Sequence, residues 1–138
     1  MMKIRFVFIF VIALASCHVV GNKRLVGNWE LIEFRLVGQG GDPVSDEEIL
    51  RKAGAVWDLK FVADGKFSQE FNMRTPSMKM EIEEGSWKTA NDSLIIDLQL
   101  DSGVSKLNYT YKFENDILIL TLSNLQSKSS IITRFRKK

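Results

Sequence analysis

Leu25-Val26-Gly27-Asn28-Trp29-Glu30-Leu31-Ile32-Glu33-Phe34-Arg35 is the stretch whose reading decides the fold. In an extended chain successive side chains point to opposite faces. Trp29, Leu31 and Glu33 then share one face, and Ile32 and Phe34 share the other. Apolar residues on both faces predict a long strand interrupted by a bulge or bend, of the kind that closes a barrel.

Downstream of residue 55 the same period of two dominates. Trp57, Leu59 and Phe61 alternate with Asp58 and Lys60, and Phe67, Gln69, Phe71 and Met73 alternate with Ser68, Glu70 and Asn72. Asp64-Gly65 between them is a hairpin signal, because both residues tolerate positive φ. Met78, Met80 and Ile82 alternate with Lys79, Glu81 and Glu83. That parity leaves Trp87 on the wrong face, and a bulge at Glu84-Gly85 is the simplest remedy. Leu94, Ile96, Leu98 and Leu100 follow, then Leu107, Tyr109, Tyr111 and Phe113, then Leu118, Leu120 and Leu122, and last Ile131 to Arg136. Asn91-Asp92, Asp101-Ser102-Gly103 and Glu114-Asn115-Asp116 mark the turns. Eight strands joined by short connections predict an all-β, eight-stranded antiparallel up-and-down barrel. An open sandwich is the competing architecture.

The single long connection lies between the first two strands, from Leu36 to about Ala55. Ser45-Asp46-Glu47-Glu48 reads as a capping box with Ser45 as the cap. Ile49, Leu50 and Ala53 fall on one helical face and Gly54 is a stop. A helix this short is not stable alone, so it must dock its apolar stripe, and a barrel end is the available surface.

Upstream, Lys3 and Arg5 precede an apolar run of ten residues, Phe6 to Ala15. That run is too short for a bilayer span, which needs about 20 residues, and fits a signal-peptide core. Leu14-Ala15-Ser16-Cys17 resembles the bacterial lipobox, in which the Cys thiol is acylated and becomes the new N-terminus. Cys17 is the only cysteine of the chain, and a lone thiol is unusual in an ordinary secreted protein. The expected organisation is a signal peptide over residues 1–16, a lipid-anchored tether over 17–24 and a barrel domain over 25–138. Acyl chains contribute about 0.8 kcal/mol per buried methylene, which makes such an anchor stable. The membrane would then be reached through lipid alone. The expected location is the bacterial envelope, on the periplasmic face of the outer membrane.

Lys3 and Arg5 leave with the leader, so 17 basic residues face 17 acidic ones. A formally neutral domain carries no nucleic-acid footprint. His18, the sole histidine, lies beside Cys17 and outside the predicted barrel. That excludes Ser-His or Cys-His chemistry within the strands. No metal or cofactor motif is present, and no enzyme is expected.

The pattern as a whole resembles the lipocalins, and more closely the bacterial lipocalin-like lipoproteins. The residues that carry the likeness are Gly27-Asn28-Trp29, Phe61-Val62-Ala63-Asp64-Gly65-Lys66-Phe67, Gly85-Ser86-Trp87, Asn91-Asp92-Ser93-Leu94-Ile95-Ile96 and Thr133-Arg134-Phe135-Arg136. The resemblance implies that Gly27 and Trp29 mark a plugged barrel end and that an arginine of the last strand packs over Trp29. Arg134 and Arg136 are both candidates, and parity does not choose between them. A lipocalin disulfide and a Thr-Asp-Tyr triplet are absent from the sequence.

For a ligand, the face to watch is Phe67, Gln69, Phe71, Met80, Tyr109 and Tyr111, with Met73, Met78 and Met80 as an adaptable rim. Ligand pockets are mostly apolar with a few placed polar groups. The same residues could simply fill the core. Glu81, Glu83 and Glu84 read as a solvated acidic surface. The expected function is to bind or carry a small hydrophobic ligand. The alternative is a filled barrel that presents its loops to a protein partner.

Overall fold

The computed structural model describes residues 21–38, 42–124 and 126–138. Cys17, the leader and the first part of the tether lie outside the described residues. The elements in order are β1 (Gly27–Val37), β2 (Val44–Ser45), α1 (Glu47–Ala53), β3 (Trp57–Phe61), β4 (Lys66–Phe71), β5 (Glu81–Ala90), β6 (Ser93–Leu100), β7 (Gly103–Glu114), β8 (Ile117–Asn124) and β9 (Ser129–Lys137). Strands β3 to β9 pair antiparallel in sequence order, and β1 pairs β3 on one side and β9 on the other. Eight strands therefore close into a barrel. The two-residue β2 only extends the far half of β1, through Phe34–Ser45 and Arg35–Val44.

Turn chemistry explains the short connections. Gly65 adopts φ +95 in the β3–β4 hairpin, and Asn91 and Asn115 adopt φ 55 and 53 in the β5–β6 and β7–β8 turns. Residues that accept positive φ match the right-handed strand twist in such tight loops. The Trp87 indole pins the first hairpin by donating to the Val62 carbonyl at 2.8 Å.

The expected interruption of β1 is present: its register against β9 shifts between Leu31 and Glu33. Before the shift Leu31 pairs with inward Phe135; beyond it Phe34 pairs with inward Thr133. One extra residue thus reverses the parity and lets both apolar sets of β1 face the interior. No second bulge exists at Glu84-Gly85. β5 runs in unbroken register from Lys66–Ser86 to Phe71–Glu81 against β4, and from Glu84–Gln99 to Ala90–Ser93 against β6. Trp87, Gly85, Glu83 and Glu81 share one face, and Ile82 points out with 62% of its surface exposed. The methionine-led alternation proposed for residues 78–83 is therefore reversed. Gly85 has a steric reason to be glycine: a Cβ there would collide with the Asp97 carbonyl of β6.

One end of the barrel is closed. A 3-10 turn, Lys23–Leu25, lies across it, and Leu25 is wholly buried. Trp29 is buried above it and donates to the Leu25 carbonyl at 2.8 Å. Asn22 receives a hydrogen bond from its own turn at Arg24 N, and its amide N donates to Thr89 Oγ1 at 3.0 Å. Residues 22–24, expected as tether, are thus packed against the barrel.

Helix α1 begins one residue later than the capping box implied. Asp46 is the cap and accepts from Ile49 N at 2.9 Å, while Ser45 is committed to β2. Gly54 ends the helix at φ 70. The helix packs against β1 and β2 on the flank of the barrel, not over an end. Arg136 holds it there by bonding both Glu30 of β1, at 2.7 Å, and Glu47 of α1, at 2.8 Å.

Candidate ligand-binding site

From the closed end inward, buried aromatic and aliphatic side chains fill the interior. Phe61 stands edge-on to Trp87 with centroids 5.4 Å apart, and Phe67 packs on Phe61 at 5.1 Å. Leu94, Ile96, Leu118, Leu120 and Phe135 fill the remainder. Toward the other end packing stops, and a cavity of about 370 Å³ opens to solvent. Its walls are Trp57, Phe71, Met73, Leu98, Leu100 and Leu107, with Gln69, Arg74, Glu83 and Ser105 as the polar members. The position follows from the strand ends. Inward residues of β4, β6 and β7 nearest the open rim meet no plug segment among the described residues, unlike those facing Leu25 and Trp29.

A chain of polar contacts runs along one wall. Trp57 Nε1 donates to Gln69 Oε1 at 3.0 Å, and Gln69 Nε2 donates to Glu83 Oε1 at 2.9 Å. The Glu83 side chain retains only 9% exposure, and its other oxygen accepts from Arg74 Nη2 at 3.3 Å. Arg74 also bonds Glu81 Oε1 at 3.3 Å and lies over the Phe71 ring, 4.7 Å from its centroid. Buried charge is tolerable only when paired and hydrogen-bonded, and Glu83 has both forms of support. Behind it, burial first and the Glu83 charge second push the Tyr109 phenol up to about 12.

The sequence-derived site residues divide into three groups. Gln69 and Phe71 line the cavity. Phe67, Tyr109 and Tyr111 face inward but are buried in the core. Tyr111 sits near the closed end, where its hydroxyl donates to the Asn91 carbonyl at 3.3 Å. Met80 does not line the site: it precedes β5 and is 46% exposed, because the inward parity of β5 belongs to Glu81 and Glu83. Of the rim methionines, Met73 alone is a lining residue.

The residues missed were Trp57, Arg74, Glu83, Leu98, Leu100, Ser105 and Leu107. An alternation that turns the apolar Met80 and Ile82 inward turns Glu83 to solvent. Counting back by twos from Trp87 would have reached it without a bulge.

The closed end carries a second correction. Neither Arg134 nor Arg136 packs on Trp29. Both neighbour inward Phe135 and so point outward, where Arg134 bonds Glu114 at 3.2 Å and Arg136 bonds Glu30 and Glu47. Lys137, the register partner of Trp29, places its ammonium 5.3 Å from the indole centroid instead. Arg24 covers the adjacent Phe113 ring at 4.0 Å. Gly27 adopts φ +133 at this end, a conformation that favours glycine.

No protein-family model matches the chain, and no curated protein matches it. Solved structures do. A lipocalin-like protein from Bacteroides uniformis ATCC 8492 superposes with a TM-score of 0.54 at 16% identity, covering 83% of this chain and 99% of that one. An uncharacterized protein from Bacteroides eggerthii DSM 20697 does so with a TM-score of 0.50, also at 16% identity, covering 83% of this chain and 99% of that one. The likeness is one of fold, and the fold is a lipocalin-like barrel.

Proposed function

We propose that this lipocalin-like barrel binds or carries a small hydrophobic ligand, without catalysing a reaction on it, and that it does so at the cell envelope, anchored through Cys17. The observation that carries the binding reading is the cavity of about 370 Å³ at the open end, apolar on most sides with a short polar chain on one wall. Its size falls within the range of about 300–1,000 Å³ common for small-molecule pockets. Affinity would come from apolar area removed from water, at about 25 cal/mol per Å² before ordering costs. A filled barrel that only presents loops to a protein partner needs no such cavity.

Native mass spectrometry of the purified protein after exposure to a bacterial membrane extract tests the carrier reading. An adduct is expected, and it should disappear in Leu107→Trp, which fills the cavity from β7. Absence of any adduct in the parent protein would overturn the reading. The anchor rests on the lipobox resemblance. Cys17→Ala should move the protein from the membrane to the soluble fraction, and unchanged fractionation would count against acylation.

A further inference from the structure

We infer that the cavity selects apolar ligands with a cationic head, of the protonated-amine type, over ligands that end in a carboxylate. The inference rests on the binding reading above and adds the chemistry of the head group.

At first sight Arg74 makes the opposite case, since a guanidinium is a natural partner for a carboxylate. Its surroundings weaken that option. Nη1 is bonded to Glu81 and Nη2 to Glu83, both at 3.3 Å, and one face of the group rests on Phe71. One cation is therefore shared by two carboxylates, and the local balance is negative before any ligand arrives. Glu83 lines the cavity and Glu81, the next residue on the same face of β5, lines the adjoining groove, so the excess charge sits at the cavity mouth. The second oxygen of Glu81, Oε2, is buried and has no hydrogen-bond partner among the described residues.

An entering carboxylate would put three anions around one guanidinium, two of them already bonded to it. An entering ammonium makes two anions and two cations at the cavity mouth. The apolar walls, Leu98, Leu100 and Leu107, are left for the tail.

The test is a titration of the purified full chain at pH 7 with decylammonium, decanol and decanoate, which share one tail and differ in the head. Isothermal calorimetry gives the affinities, and Trp57 fluorescence reports occupancy. Decylammonium should bind about tenfold or more tightly than decanoate, after allowance for screening at a partly exposed rim. Glu83→Gln and Glu81→Gln should each shrink the preference, and Glu81→Gln guards against a folding defect at the buried site. Glu84→Gln, which removes the same charge from the outward face of β5, should leave the preference in place. Decanoate binding as tightly as decylammonium would overturn the head-group inference while leaving the carrier reading intact. Loss of preference in Glu84→Gln equal to that in Glu83→Gln would also overturn it, by reducing it to general surface charge. Binding of none of the three would overturn both readings.

Discussion

Gln69 and Glu83 face each other across the β4–β5 register and share a buried hydrogen bond, Nε2 to Oε1, of 2.9 Å. The pair joins the Trp57 indole to Arg74 and so ties one wall of the cavity together. Gln69→Leu strands the indole N–H and leaves Glu83 with Arg74 alone. It should destabilise the fold by about 1–3 kcal/mol, the usual cost of orphaning a buried polar group. Glu83→Gln keeps the shape and should cost less. Urea unfolding of the two single variants and the double variant should give a coupling of about 1 kcal/mol; strict additivity would mean that the contact is not formed in solution.

Gly85 lies where β5 approaches β6 too closely for a side chain. Gly85→Ala should force the two strands apart and lower stability by about 1–3 kcal/mol, as overpacking does elsewhere. Gly54→Ala is a useful contrast, because there a Cβ meets nothing and only the left-handed φ of 70 opposes it. Thermal melts of the two variants separate steric collision from backbone preference.

Tyr109 should ionise near 12, against an ordinary value of 10.0, when phenolate absorbance is followed with pH. Burial disfavours the phenolate and Glu83 repels it, so the folded form holds a proton that the unfolded chain gives up. The resulting stability is fully present below pH 10.0 and is lost as pH rises toward about 12. Because burial is the larger cause, Glu83→Gln should lower the Tyr109 value only part of the way.

The flank helix has its own pH signature. Hydrogen bonding to the Arg136 guanidinium holds the Glu47 carboxyl below its ordinary value of 4.5. The contact is therefore intact above that value and is lost as pH falls through the depressed one. Hydrogen exchange over α1 should quicken on acidification, and in Arg136→Ala it should be fast already at neutral pH. Unchanged protection in Arg136→Ala would show that Leu50, which is buried, suffices to hold the helix.

Strand alternation, Asp-Gly and Asn-led turns, the shifted parity of β1 and the short helix were all legible in the sequence. Each depends on residues next to one another in the chain, where pleat geometry and φ preference act directly. The parity of β5 was ambiguous in the sequence: counting forward from Met78 turns Glu83 out, and counting back from Trp87 turns it in. The pairing of Gln69 with Glu83, 14 positions apart, decides between them. The same holds at closure. Arginines near the end of the chain pointed to a contact with Trp29, but the register between β1 and β9 put Lys137 there and sent Arg136 to Glu30, 106 positions away.

The sequence by itself determined eight antiparallel strands with short turns and favoured a closed barrel over an open sandwich, since the periods and turns are local; the pairing of β1 with β9 settled closure. Whether that barrel is filled or hollow was a matter for the tertiary structure alone. The plug of Leu25 and Trp29 fills one end; among the described residues nothing comparable fills the other, where Arg74 and Glu83 line the cavity and Glu81 beside them leaves its mouth net acidic. Volume and charge balance are sums over residues from many strands, and no local stretch of the chain carries either sum.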